Sequence, residues 1–207
     1  KAYRNPSLYE ERGYYRFYVP ALSGNYELYK AKGGLRPESV LAREIGYLGE
    51  FPAPGISIDA RIYHEELQDI IYETNDSYPT PKNFVNLFDA RHDGFELTTK
   101  HQWGDRNALT LNYTYQVLSS NFMGYGGSSP YSDTMPRNMI SALYSKAFAD
   151  DAMLSLGYYQ QDSVLPIDRG TYDRQSFTTR WDMRIAKGFK TGSDGTQGEI
   201  ALVVQGL

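Results

Sequence analysis

Residues 107–120, NALTLNYTYQVLSS, alternate between apolar and polar side chains with almost no interruption. One side carries Leu109, Leu111, Tyr113, Tyr115 and Val117, and the other carries Thr110, Asn112, Thr114 and Gln116. Because successive side chains of a strand point to opposite faces, this pattern predicts a β-strand with one apolar and one polar face. The apolar face would contact a protein core in a soluble protein and lipid in a transmembrane β-barrel, so the stretch alone leaves both alternatives open.

Eight segments with this period follow one another from about residue 41. They cover residues 41–51, 56–73, 84–103, 107–119, 137–148, 152–162, 177–190 and 197–207. Several are longer than ten residues, whereas a strand in a soluble protein has about five to six. About nine to eleven tilted residues are needed to cross a bilayer. The pattern therefore predicts an all-β chain with eight long strands.

The connections between these segments alternate between short and long. The short ones are residues 52–55, 104–106, 149–151 and 191–196, and the long ones are residues 74–83, 120–136 and 163–176. Outer-membrane barrels have short periplasmic turns and long extracellular loops, which produces this succession. The spacing favours an antiparallel up-and-down transmembrane β-barrel over a β-sandwich, which has no reason to alternate so regularly.

An aromatic residue stands immediately before each short connection or one residue earlier. These residues are Phe51, Trp103, Phe148 and Phe189. On a barrel they would form an aromatic girdle at the periplasmic interface of the membrane. Coincidence is the alternative, because aromatic residues make up 14% of the chain.

Composition excludes several classes of protein. The 19 tyrosines and 19 glycines favour a β-rich chain with many turns. A net charge of -4 without a long basic run argues against nucleic-acid binding. The absence of cysteine excludes disulfides and thiolate chemistry. The mean hydropathy of -0.56 does not discriminate, because barrel strands carry only every second residue to lipid.

No group of residues predicts catalysis or a bound cofactor. His64, His92 and His101 are far apart in sequence, and the glycines of residues 124–129 lack the lysine of a phosphate-binding loop. The chain is therefore expected to be neither an enzyme nor a metal or cofactor protein. It begins at Lys1 without an initiator methionine, which favours a piece of a longer protein.

Residues 1–40 differ from the rest of the chain because they are rich in tyrosine and lack sustained alternation. Breakers such as Pro6, Pro20 and Gly33 interrupt them. We predict one long loop of extracellular type here, followed by the barrel strands of residues 41–207.

Short motifs occur in a fixed order along the whole chain. They are AYRNPSLYE at 2–10, GLRPES at 34–39 with EIGY at 44–47, NLFDARHDGFE at 86–96, the stretch 136–144, and VVQGL at 203–207. Each is weak alone, but together they resemble the motifs of TonB-dependent outer-membrane receptors. Two positions depart from the family pattern: Tyr144 comes one residue early, and Gly206 replaces an asparagine.

This resemblance implies a bacterial outer-membrane barrel of about 22 strands, plugged by an amino-terminal domain. The eight segments would be its fourteenth to twenty-first strands, and the plug domain and the closing strand would lie outside this chain. TonB would act through the absent plug. The apolar side of residues 107–120 would contact membrane lipid, and the polar side would line the barrel interior.

The resemblance further implies a receptor that binds a ferric siderophore or a similar metal chelate with its extracellular loops. Aromatic rings and arginine suit a bulky anionic chelate. The candidate ligand-binding residues are Tyr14, Tyr15, Arg16, Tyr26, Tyr29, Phe122, Tyr125 and Tyr131. For each of them the alternative is a surface aromatic that packs a loop or contacts lipopolysaccharide. Alternatives for the whole protein are a passive porin or adhesin, and a soluble β-sandwich that binds carbohydrate.

Overall fold

Nearly all strands of the protein belong to one antiparallel sheet. A computed structural model describes residues 1–74, 76, 79–122, 131–166, 174–191 and 196–207. The sheet contains nine strands: β1 (Ala2–Arg4), β4 (Glu38–Phe51), β5 (Ile56–Glu73), β6 (Phe84–Trp103), β7 (Asn107–Ser120), β8 (Asn138–Ala147), β9 (Ala152–Gln161), β10 (Thr178–Thr191) and β11 (Thr196–Gln205). From β4 to β11 each strand pairs with the next one in sequence, which makes an up-and-down meander.

The eight predicted segments are confirmed as β4 to β11, with their ends shifted by three residues or fewer. A β-sandwich requires two packed sheets, so the single meander contradicts that alternative. None of the helices in the described part of the chain has the length and apolar character needed to span a bilayer.

The two faces of the sheet differ in chemistry. The face that carries Asn112 and Gln116, here called the inner face, holds a ladder of hydrogen bonds. In it Thr98 donates to Asn112 at 2.9 Å and Asn112 donates to Ser141 at 2.9 Å. Buried residues of the sheet also lie on this side: Phe88, Ala90, Gln116, Leu118 and Ala186.

The opposite face, here called the outer face, carries large apolar side chains without cover. Exposed members include Ile45, Tyr47, Ile62, Leu111, Tyr115, Trp181, Ile185, Ile200 and Leu202. Leu48, Leu143 and Val203 are apolar exceptions on the inner face. A continuous apolar surface of this extent marks a binding partner or a membrane.

The sheet has two distinct ends. Its turn end carries the short connections, whose described examples are residues 52–55, 104–106 and 148–151. Its loop end carries the longer connections, including the one between β5 and β6 and the one between β7 and β8. The connections at the turn end are thus shorter than those at the loop end.

Residues 1–40 contain regular elements that the sequence pattern did not predict. Strand β1 pairs with the start of β4, and the helix α1 (Leu8–Arg12) follows it. Ser7 and Glu10 form a capping box, in which each side chain accepts a hydrogen bond from the other residue's backbone. The strands β2 (Tyr14–Val19) and β3 (Gly24–Lys30) then form a separate hairpin.

A bulge between Tyr15 and Arg16 explains why the sequence pattern does not predict the hairpin. It shifts the pairing from Tyr15 opposite Tyr29 to Arg16 opposite Glu27, so the period of two is interrupted. A single loop is therefore not an accurate description of residues 1–40. Their extracellular position stays a prediction.

Candidate functional site

The hairpin β2–β3 presents aromatic side chains to solvent on both of its faces. On one face the ring of Phe17 lies 6.0 Å from Tyr15 and 5.2 Å from Tyr26, measured between centroids. On the other face Tyr14 donates a hydrogen bond to Glu27 at 2.7 Å, and the Arg16 guanidinium lies 5.8 Å from the Tyr14 ring. The hydrogen bond to the Glu27 carboxylate raises the pKa of Tyr14 above its usual value.

Tyr29 attaches this hairpin to the loop end of the sheet. Its side chain is only 2% exposed, because it stacks on Tyr9 at 4.8 Å and meets the edge of Phe84 at 5.3 Å. The Tyr29 hydroxyl donates to the Tyr9 carbonyl at 3.3 Å, and burial raises the pKa of Tyr29 to about 12. Tyr29 thus holds β3 against the first residue of β6.

Backbone hydrogen bonds reinforce this attachment. The Lys30 amide donates to the Lys82 carbonyl at 2.9 Å, and the Lys82 amide donates to the Leu28 carbonyl at 3.0 Å. The Lys32 amide donates to the buried Asn83 side chain at 2.9 Å. An isolated two-stranded hairpin is at best marginally stable, so these contacts give the hairpin a defined position.

Polar residues of the sequence motifs fasten the base of the same region. Arg4 donates to Glu10 at 3.1 Å and to Glu38 at 2.5 Å, and Glu38 also accepts the Ile71 amide at 2.7 Å. Asn86 accepts the Arg36 amide at 2.8 Å and donates back to the Arg36 carbonyl at 2.9 Å. These motif residues therefore stabilise the junction between segment 1–40 and the sheet.

A second aromatic cluster lies at the start of the connection between β7 and β8. The ring of Phe88 stacks on Phe122 at 4.7 Å and meets Tyr131 edge-on at 4.9 Å, while Tyr72 lies 5.3 Å from Phe122. Phe122 is only 8% exposed, and burial raises the pKa of Tyr131. This cluster fixes the ends of the connection to the inner face.

The structure thus divides the predicted ligand-binding residues into two groups. The hairpin brings Tyr14, Tyr15, Arg16 and Tyr26 together, whereas Tyr29, Phe122 and Tyr131 pack inside clusters. Burial argues for a packing role of the second group. Tyr125 lies outside the described residues.

Two exposed hairpin residues were missing from the prediction. Phe17 and Tyr18 lie on β2 beside the predicted set and are exposed. The alternation within YYRFYV was the available signal, since it places an aromatic on each face of β2.

The inner face below these clusters is polar. Arg61 lies between two carboxylates, 2.5 Å from Glu96 and 3.4 Å from Glu44. A cavity of about 600 Å³ opens between β7 and β10. Its lining includes Asn112, Thr114, Ser141, Tyr159, Thr178 and Arg180. In the described residues, no three metal-ligating side chains come close enough to hold an ion.

Each of the four aromatics predicted as a girdle lies at the turn end of its strand. Phe51, Trp103, Phe148 and Phe189 are 42%, 39%, 42% and 40% exposed. Strand pairing places Phe51 and Trp103 on the outer face. Phe51 lies in the same cross-strand row as Leu109, and Trp103 lies in the same row as Leu202. Their contact with a membrane interface stays a prediction.

Comparison with known families identifies this architecture. The sequence model described as "TonB dependent receptor-like, beta-barrel" matches residues 1–202. The chain belongs to the TonB-dependent receptor β-barrel family. No curated protein matches significantly in sequence.

Two solved receptor structures share their fold with this chain. The ferric-catecholate import receptor Fiu from Escherichia coli K12 superposes with a TM-score of 0.59 at 13% identity, over 75% of this chain and 22% of that chain. The pyoverdine receptor FpvA from Pseudomonas aeruginosa PAO1 gives a TM-score of 0.60 at 15% identity, over 76% of this chain and 24% of that chain. The chain thus spans about a quarter of the length of these receptors.

Family membership gives the open sheet a structural context. The nine-stranded antiparallel sheet is part of a β-barrel. The predicted resemblance and the predicted fold class are therefore confirmed.

Proposed function

We propose that this chain is part of an outer-membrane receptor that binds a ferric siderophore and imports it with energy supplied through TonB. The observation that carries the proposal is the aromatic hairpin β2–β3, held at the loop end of a barrel of this receptor family. Similar solved receptors are named for ferric-catecholate import and for pyoverdine binding. At such low sequence identity, these structures support the fold alone. The ligand class is supported by the chemistry of the hairpin side chains.

The exposed hairpin side chains suit an aromatic or anionic chelate. Tyr15 and Phe17 offer ring faces for stacking, and Arg16 supplies a charge that is not buried. Charge-assisted hydrogen bonds from a guanidinium are about twice as strong as neutral ones, which favours an anionic ligand. Tyr29 then acts as a positioning residue, because it fixes the hairpin relative to the barrel.

The outer face is proposed to contact membrane lipid. Its exposed isoleucine, leucine and tyrosine side chains need an apolar environment, which the bilayer of a Gram-negative outer membrane supplies. In this orientation the four aromatics of the turn end lie at the periplasmic interface, and the hairpin lies at the cell surface, near lipopolysaccharide.

The rest of the receptor is proposed to complete the barrel and to close it. A family barrel has about 22 strands and contains a plug, so the polar inner face with Arg61 and Arg180 would face that plug. TonB would act on the plug and release the ligand inward.

The test measures binding and uptake of labelled ferric catecholates and ferripyoverdine by cells that produce the full-length receptor. We expect one of these chelates to bind, and the double variant Tyr15→Ala/Phe17→Ala to bind it about tenfold more weakly, since each aromatic pair contributes ~0.5–1.5 kcal/mol. Loss of TonB should abolish accumulation inside the cell and leave surface binding unchanged.

Tyr3→Ala is the matched control, because Tyr3 is an exposed tyrosine on β1 outside the hairpin. It should bind the chelate as the wild type does. Uptake that continues without TonB would favour the passive porin alternative and overturn the transport proposal. Failure of every chelate in the panel to bind would overturn the ligand class.

A further inference from the structure

Three neighbouring strands of the sheet are almost free of charge. In β7, β8 and β9, which the structure describes in full, the only charged side chain is that of Lys146, and Lys146 lies on the outer face. The inner face of these three strands, here called the neutral wall, carries small, apolar or uncharged polar side chains. The strands on either side do carry charges on the inner face: Glu44, Arg61, Glu65 and Glu96 on β4 to β6, and Arg180, Arg184 and Glu199 on β10 and β11.

A cavity lies at each end of the neutral wall. The larger one, of about 600 Å³, is nearer the loop end, and its lining includes Ser141 and Tyr159. The smaller one, of about 300 Å³, lies at the turn end, and its lining includes Ser145 and Met153. Ser141 and Ser145 are four positions apart on β8, which corresponds to about 13 Å along the strand. The two cavities are therefore neighbours along the same wall.

One cross-strand row separates the two cavities, and it consists of Thr110, Leu143 and Gly157. A Cβ at Gly157 would lie 3.3 Å from the ring of Tyr159, so this ring lies over a residue that has no side chain to displace it. The Arg180 guanidinium lies 5.4 Å from the centre of the same ring. Leu143 is the largest side chain of the row and is 47% exposed. The way from one cavity to the other thus leads past Leu143 and Tyr159.

The charge within the loop-end cavity is balanced. Arg180 donates through Nε to Asp182 at 2.8 Å, and its Nη2 donates to the same carboxylate. Other polar groups of the lining are uncharged, such as those of Thr114 and Gln161. A passing solute must be bound weakly enough to leave again. Neutral hydrogen-bonding groups meet this requirement, whereas an unpaired arginine would hold an anionic chelate strongly.

From this arrangement we propose that the imported chelate passes along the neutral wall, from the loop-end cavity across the row of Leu143 to the turn-end cavity. The inference rests on the proposed function, because it requires a chelate that enters at the loop end and leaves at the turn end. The charged strands on either side suit lasting contacts with the rest of the receptor, since complementary charges fix two surfaces in register. At the neutral wall, the rest of the receptor can separate from the barrel without breaking an ion pair.

The test uses cells that produce the full-length receptor. It measures surface binding and TonB-dependent uptake of labelled ferripyoverdine and of a labelled ferric catecholate. Leu143→Glu places a negative charge between the two cavities. It should slow uptake of the anionic chelate about tenfold, because like charges within about 10 Å of each other repel strongly inside a protein. Surface binding should not change, since Leu143 is not part of the hairpin. Leu143→Gln has a similar size without the charge and should slow uptake less.

Leu48→Glu is the matched control. Leu48 is also an exposed leucine of the inner face, but it lies on β4, outside the neutral wall. This variant should leave both surface binding and uptake unchanged. Heat-modifiable migration in gel electrophoresis verifies that each variant is a folded barrel.

A second measurement follows the chelate with single cysteines, since the chain itself contains none. Ser141→Cys lies in the loop-end cavity, and Leu48→Cys lies in the same cross-strand row on β4. Each is placed in a full-length receptor without other cysteines, and a thiol reagent is added during TonB-dependent transport. The chelate should slow labelling of Ser141→Cys several-fold and leave labelling of Leu48→Cys unchanged.

Three results would overturn the path: unchanged uptake by folded Leu143→Glu, an equal loss of uptake in Leu48→Glu, or equal protection of the two cysteine variants by the chelate. If Leu143→Glu does not fold, the labelling rates decide alone. Each of these results leaves the transport proposal intact as long as the wild type imports the chelate with TonB. A wild type that imports no chelate, or imports it without TonB, overturns the proposed function and this inference with it.

Discussion

Gly55 illustrates how a single residue determines the shape of the turn end. It follows Pro52 in the turn between β4 and β5, has a φ of 67°, and accepts the Gln102 amide at 2.8 Å. A Cβ at this position would lie 2.1 Å from the Gln102 carbonyl oxygen. Because that oxygen belongs to the backbone of β6, it has little freedom to move. Gly55 therefore allows the turn to pack against the neighbouring strand.

We expect Gly55→Ala to lower the free energy of unfolding by about 2–4 kcal/mol. The left-handed backbone contributes ~1–2 kcal/mol of this loss, and the backbone clash contributes the remainder. Gly34→Ala is the control, since Gly34 has a φ of 76° and nothing within 4 Å of the added methyl group. It should lose only the backbone contribution. Urea unfolding of the full-length receptor in lipid vesicles compares the two, and equal losses would contradict the clash.

At the scale of elements, the hairpin β2–β3 depends on contacts with distant parts of the chain. Its own pairing covers six residue pairs and includes a bulge. The ring of Tyr29 stacks on Tyr9 and contacts Phe84 edge-on, which joins the hairpin to α1 and β6. The aromatic surface proposed to bind the chelate is therefore positioned by a buried tyrosine that is itself inaccessible to ligand.

We expect Tyr29→Ala to release the hairpin without unfolding the barrel. Truncating a buried aromatic residue costs about 3 kcal/mol or more, which corresponds to about a hundredfold faster amide hydrogen exchange in β2 and β3. Tyr29→Phe should have a smaller effect, because it removes only one long hydrogen bond. Exchange in β7 reports on the barrel and should not change. Equal exchange rates for Tyr29→Ala and an exposed control, Tyr18→Ala, would refute the attachment.

At the scale of the whole molecule, the opposite chemistry of the two faces determines how the sheet is solvated. Leu111 lies on the outer face and is exposed, whereas Thr114 lies on the inner face and lines the cavity together with Asn112 and Ser141. The two residues belong to the same strand and are three positions apart. Under the proposed orientation, Leu111 would contact lipid and Thr114 would face the barrel interior.

We expect Leu111→Arg to destabilise the receptor by about 2–4 kcal/mol in lipid, the cost of an arginine near the bilayer midplane. Thr114→Arg should cost much less, because the inner-face cavity that it enters offers the polar side chains of Asn112 and Ser141. Folding titrations of the full-length receptor in vesicles measure both values. Similar tolerance of arginine at the two positions would argue against a lipid-facing outer surface.

The candidate site was predictable only in part. Tyr14, Tyr15, Arg16 and Tyr26 were identified from tyrosine and arginine content, and the structure brings them together in one exposed hairpin. Residue content alone could not distinguish these exposed residues from Tyr29, Phe122 and Tyr131, which pack inside aromatic clusters in the structure. Exposure of an aromatic residue depends on its neighbours in space, and Tyr29 meets Phe84 across 55 positions of sequence.

The sequence by itself determined the eight long strands, their apolar and polar faces, the alternation of short and long connections, and the family. The strands and their faces follow from local geometry, because a period of two along a strand assigns each side chain to a face regardless of the rest of the chain. The family follows from the order of the short motifs along the chain. Only the tertiary structure decided how segment 1–40 folds, which tyrosines remain accessible, and which contacts hold the hairpin β2–β3 at the loop end. Those properties arise from pairing and packing between residues far apart in sequence, which no local pattern records.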